Sequence, residues 1–170
     1  MMEVLFYIAS AVALLATGLA LTRANAAHAL IYLIVSLLAV AVLFFLMGAP
    51  FAAALEIVIY AGAIMVLFVF VIMMLNVGQT GVAQERAWLS GRSWIVPGIM
   101  AALLFLELML ALQHAPAVTS GEMVSPKDVG LTLFGPYVLA VEIASMLLLS
   151  GLVGAYHLGR RFIVRRERDR

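Results

Sequence analysis

Charged side chains are missing from three long stretches of the chain, 4–22, 24–55 and 57–84, and the residues within them are mostly apolar. A helix that crosses a bilayer needs ~20 consecutive apolar residues. The pattern therefore predicts helices over about 3–21, 28–47 and 52–75, and two further apolar runs predict helices over about 94–112 and 136–157. Gly48, Ala49 and Pro50 divide the second run from the third, because proline cannot continue a helix and glycine permits a turn. Ser125-Pro126-Lys127-Asp128 opens a short interfacial helix ending near Phe134. The fold class expected is an all-α membrane protein, one domain of five transmembrane helices over 1–158 with a basic tail over 159–170.

Basic residues orient these spans. Arg23 follows the first, Arg86 and Arg92 follow the third, and Arg160, Arg161, Arg165, Arg166, Arg168 and Arg170 follow the fifth. With five spans these nine of the ten Lys and Arg residues share one side, and only Lys127 lies opposite. Basic loops stay cytoplasmic, so the N-terminus is expected outside, in the periplasm, and the C-terminus in the cytoplasm. Trp88, Trp94, Tyr137 and Tyr156 fall near span ends, where aromatic belts form. The first span is not read as a cleavable signal, since Glu3 precedes it and Arg23 follows it.

Composition agrees and narrows the chemistry. Of 170 residues, 66% are hydrophobic and 11% charged, and the mean hydropathy is +1.16, well beyond a soluble domain. The net charge of +1 gives no reason to expect a nucleic-acid partner. There is no cysteine, which excludes disulfides, Cys-ligated zinc and Cys-ligated iron–sulfur clusters. The three histidines, at 28, 114 and 157, are scattered and carry no assigned role.

Three carboxylates fall inside spans: Glu56, Glu107 and Glu142. A charge at the bilayer centre costs ~3 kcal/mol or more, so each must be neutral, hydrogen-bonded or facing a polar path. For Glu56 and Glu142 a proton site and a helix-locking acid are equally good readings. Glu107 reads as a protonated or paired lock, because Leu106, Leu108 and Met109 offer it no polar support. No Lys, Arg or Asp lies deep in a span, which argues against a complete pump in this chain and leaves room for a part of a larger assembly.

The third span is the least ordinary. Glu56 and Tyr60 share a face if the helix is regular, and Tyr60 lies ~13 Å deep, where its hydroxyl needs a partner. Ala61, Gly62 and Ala63 allow close helix approach. From these residues alone a packing seam is favoured, with a helix able to change register as the sharper alternative.

The run Glu56-Ile57-Val58-Ile59-Tyr60-Ala61-Gly62-Ala63-Ile64-Met65-Val66-Leu67-Phe68-Val69-Phe70 resembles the subunit J family of the bacterial respiratory NADH–quinone oxidoreductase, complex I. Asn25 to Leu38 and Gly130 to Gly151 match the same family, and the resemblance covers nearly the whole chain. It implies a multi-pass subunit of the bacterial inner membrane whose partners are other membrane-arm subunits. It implies no cofactor in this chain, with FMN, iron–sulfur clusters and quinone held by partner subunits. It further implies a π-bulge from Tyr60 to about Phe68 that gates a water wire. Tyr60, Gly62, Met65, Val66 and Phe68 would form the switch, with Glu56 and Glu142 as supporting acids. The other readings are a purely structural subunit, or a subunit of a related multisubunit cation–proton antiporter.

Overall fold

The computed structural model describes residues 2–75, 94–113 and 123–168, and all regular structure among them is helical. Arg86, Trp88, Arg92 and Arg170, which bear on the topology, lie outside the described residues. In chain order the elements are α1 (Met2–Thr22), α2 (Ala26–Leu46), α3 (50–75), α4 (Ile95–Gln113), α5 (Pro126–Leu133) and α6 (Val138–Arg168). Among the described residues five helices are long and apolar enough to cross a membrane, as expected from the apolar runs: α1, α2, α3, α4 and the Val138–Gly159 part of α6. The short helix expected after Ser125 is α5.

The described chain falls into two compact units, Met1–Ser125 and Pro126–Arg170. The first is built around the α1–α2 hairpin. Leu5, Ala9, Val12, Ala13 and Ala16 recur at helical spacing and are buried on one stripe of α1. They meet Val35, Ala39, Val42 and Leu46 of α2. The small side chains of Ala9, Ala13, Ala16 and Ala39 suit a close approach of the two backbones. Within this seam the Thr17 and Ser36 hydroxyls lie 2.7 Å apart, and both contact the Ala13 carbonyl oxygen, at 2.8 and 3.2 Å. That network satisfies hydroxyl groups that would otherwise be costly in an apolar layer.

The turn between α1 and α2 is fastened chemically. Asn25 Oδ1 accepts from the backbone N–H groups of Ala27 and His28, at 2.9 and 3.3 Å, and so caps α2. Such a cap contributes about 1 kcal/mol. Arg23 reaches over the Tyr32 ring, 5.1 Å from its centroid, and donates to the Tyr32 hydroxyl at 3.4 Å.

Between α2 and α3, Gly48 adopts φ 83°, a left-handed conformation that favours glycine, and Pro50 opens the next helix. The Gly48 carbonyl accepts from Val124 N–H at 2.9 Å. α4 packs on α2 and α1, and its Leu104 and Ala111 complete the three-helix core. α3 packs along α2.

In the second unit a turn over 134–137 joins α5 to α6. α6 therefore starts at Val138, two residues later than the sequence pattern implied, beyond Pro136. It also continues as α-helix through the basic run to Arg168. Its 31 residues make a rod roughly 46 Å long at the usual rise, well beyond the ~30 Å hydrocarbon layer. Arginine is a good helix former and is favoured near a helix C-terminus, so a charge run can prolong the helix.

Candidate functional site

α3 is not a regular helix. It is α-helical over Pro50–Leu55, π-helical over Glu56–Ile64 and α-helical again over Met65–Leu75. The register changes where Glu56 N–H still reaches back to Ala52 and Ala53. It changes back at Met65, whose N–H is shared between the carbonyls of Tyr60, five residues back, and Gly62, three back. A π segment within an α-helix is rare and often marks a functional position.

Gly62 makes this register possible. A Cβ at this position would lie 3.1 Å from the Ile57 carbonyl oxygen. An i→i+5 pattern brings the carbonyl of residue 57 toward the backbone of residue 62. The absence of a side chain leaves room for it. The sequence Ile57-Val58-Ile59 contributes as well, since β-branched residues lose rotamer freedom in an α-helix.

The residues named for the switch divide between two registers. Tyr60 and Gly62 lie inside the π segment, and Glu56 opens it. Met65, Val66 and Phe68 lie in the α-helical part beyond it. The π segment thus sits about one turn before the span from Tyr60 to Phe68 that the resemblance implied. Met65 is buried, Gly62 and Glu56 are half-buried, and Tyr60, Val66 and Phe68 are exposed. No hydrogen bond joins Glu56 to Tyr60. The Tyr60 side chain is 50% exposed on the helix surface.

The face of α3 turned from α2 is apolar and open: Val58, Ile59, Val66, Leu67, Phe70, Met73 and Met74 are all exposed. Glu142 lies on α6, in the second unit, and is exposed. Among the described residues no three His, Asp or Glu side chains come together as a metal site. With no cysteine in the chain, nothing fits a Cys-ligated iron–sulfur cluster.

Two polar groups have surroundings that the sequence pattern concealed. His28, to which the sequence assigned no role, has Nε2 buried without a hydrogen-bond partner. Glu107 is 2% exposed, and neither carboxylate oxygen has a partner. Of the two readings of Glu107, a protonated or a paired acid, no pairing partner is present among the described residues. The visible signal was its place between Leu104 and Ala111, one helical stripe that the α1–α2 pair covers.

A multi-helix membrane subunit with a π-interrupted third helix and no redox ligand set among its described residues is the class of protein these features define. The chain belongs to the family described as NADH-ubiquinone/plastoquinone oxidoreductase chain 6, which it matches over residues 5–158. It is 56% identical over 162 residues to NADH-quinone oxidoreductase subunit J of Pseudomonas aeruginosa, covering 94% of this chain and 98% of that one. The Escherichia coli K12 subunit J is 55% identical over 160 residues, covering 94% and 87%. The Buchnera aphidicola subunit J (subspecies Schizaphis graminum) is 47% identical over 160 residues, covering 94% and 98%.

Proposed function

We propose that this chain is a membrane-arm subunit of an NADH–quinone oxidoreductase, one that couples quinone reduction to proton translocation through a register change in α3. The observation that carries this reading is the π segment Glu56–Ile64 with Tyr60 and Gly62 inside it. A π segment that relaxes to α register gives up residues from its wide turn. Each residue given up rotates the remainder of the helix by roughly 100° and shifts it by ~1.5 Å. Met65, Val66 and Phe68 need not sit in the π segment to be switched, because they are carried by it. Tyr60 would swing its hydroxyl into or out of a polar path, opening or closing a water wire, with Glu56 and Glu142 as supporting acids.

The chain does no redox chemistry in this reading. FMN, iron–sulfur clusters and quinone belong to partner subunits, and the open apolar faces of α3 and of α6, with Leu139, Ile143, Leu147 and Leu148 exposed, offer surface to such partners or to lipid. Tyr60→Phe is the test. Assembled complex carrying it is expected to oxidise NADH but to pump protons severalfold less well. Wild-type pumping would refute the gate and leave the chain a structural subunit. A subunit of a cation–proton antiporter would instead co-purify without flavin and iron–sulfur proteins.

The membrane is the bacterial inner membrane, with the N-terminus periplasmic and the C-terminus cytoplasmic, on the strength of the basic residues. Because the chain lacks cysteine, single cysteines report sidedness cleanly. A membrane-impermeant thiol reagent added to spheroplasts should label Met123→Cys and spare Thr22→Cys. The opposite pattern would invert the topology.

A further inference from the structure

Among the described residues Glu107 is the one buried acid of the first unit, and the α3 gate does not use it. It lies on α4 between Leu104 and Ala111, which belong to the core formed with α1 and α2. Its cover comes from this chain's own helices, so neither lipid nor a neighbouring subunit is needed to bury it. Both oxygens lack partners. The elements packed on α4 are α2 and α1. Their titratable side chains are Glu3 and Tyr7, both exposed, and His28 and Tyr32, near the start of α2. None of these four belongs to the buried cluster around Leu104 and Ala111. Arg23, the basic residue between α1 and α2, is engaged with Tyr32.

An ionised carboxylate in such surroundings would have neither water nor a counter-charge. A neutral acid fits, yet it still presents an O–H donor and a carbonyl acceptor to an apolar wall. An aliphatic side chain of similar volume would pack there with no unmet polar group. Buried polar groups without partners are rare, and an ionisable one within a membrane span points to a functional site.

We propose that Glu107 is a proton-binding site in the α1–α2–α4 core, one that holds a proton while the core is closed and exchanges it during turnover. In the exchange its O–H bond breaks and the proton passes to a water molecule admitted between the helices, leaving a carboxylate. The bond re-forms when a proton returns from water. The route for admission is a movement of α2, which packs against α4 and covers it together with α1.

The proposal rests on the reading of the complex as a proton translocator, but its test does not depend on the gate. Reduced-minus-oxidised infrared difference spectra of the purified, assembled complex, in H2O and D2O, isolate the carboxylic acids that change during turnover. The expected result is a carboxylic C=O band that moves to lower frequency in D2O and is lost in Glu107→Gln. Glu107→Asp should return the band at a displaced frequency, and this variant decides the matter if the glutamine complex does not assemble. Assembled variants with the wild-type carboxylic bands would overturn the proposal, as would loss of carboxylate bands alone. Failure of the α3 gate would show instead in the pumping of Tyr60→Phe, with the Glu107 band intact.

Discussion

Gly62→Leu is expected to remove most NADH-driven proton pumping while the assembled complex still runs normally on a native gel. Two effects act in the same direction. A Cβ at residue 62 meets the Ile57 carbonyl oxygen at 3.1 Å, tighter than ordinary van der Waals contact, and that oxygen is backbone and cannot simply rotate away. Glycine also has the widest backbone freedom and is a poor α-helix former, so replacing it favours the regular α register. Leucine has the same preference and adds bulk at a position that is half-buried. Both effects drain the π state, and a gate held in one register cannot cycle. Gly62→Ala should show the same defect more weakly, because the neighbour need give only a few tenths of an ångström. The measurement is proton uptake per NADH oxidised in vesicles, normalised to complex content. Normal uptake in an assembled Gly62→Leu complex would count decisively against a register change in α3.

Ala39→Leu is expected to act by a different route, as loss of the complex itself. Ala39 is 0% exposed, and so are Ala9 and Ala16 on the facing helix. There is no flexible side chain at these positions to yield, only helix backbone. Overpacking a close-fitted core costs ~1–3 kcal/mol in a typical site, against a total stability of only ~5–15 kcal/mol. Here the added carbons would push α1 and α2 apart and strip the Thr17–Ser36 contact of its 2.7 Å geometry. Native gels should show little assembled complex. Leu14→Ala, at a side chain 75% exposed, is the control and should leave the amount of complex unchanged. Wild-type levels in Ala39→Leu would mean that the hairpin is far more tolerant than its packing implies.

The two substitutions separate gating from assembly, the alternatives that the sequence pattern left standing for the third span. Ala61-Gly62-Ala63 looked first like a packing seam. In the structure the small residues that do make a closed seam are elsewhere, at Ala9, Ala13, Ala16 and Ala39. Ala63, by contrast, is exposed. Small residues permit close approach but do not say what approaches, and in α3 the close neighbour of Gly62 is its own chain, at Ile57.

The physics of the bilayer explains how far the fold was legible. In hydrocarbon every backbone polar group must be satisfied within its own segment, so an apolar run of sufficient length is nearly obliged to be a helix. That is why apolar runs located all five membrane helices, and why the break at Gly48, Ala49 and Pro50 fell between the second and the third. The same constraint is silent about register. An i→i+4 and an i→i+5 pattern both satisfy the backbone groups within the segment, so the π segment at Glu56–Ile64 was not readable from periodicity. The family resemblance anticipated it, about one turn too late.

The sequence by itself determined the number and approximate positions of the membrane helices, the want of cysteine ligands and the presence of three acids in apolar spans, because each depends only on local composition against a fixed membrane thickness. Only the tertiary structure decided which acid is sealed away. Glu56 opens the π segment half-buried, while Glu107 disappears beneath α1 and α2 with both oxygens unpartnered. Spacing along one helix shows which residues share its face. What covers that face is set by helices distant in sequence, and burial by distant helices is what turns an ordinary glutamate into a place to hold a proton.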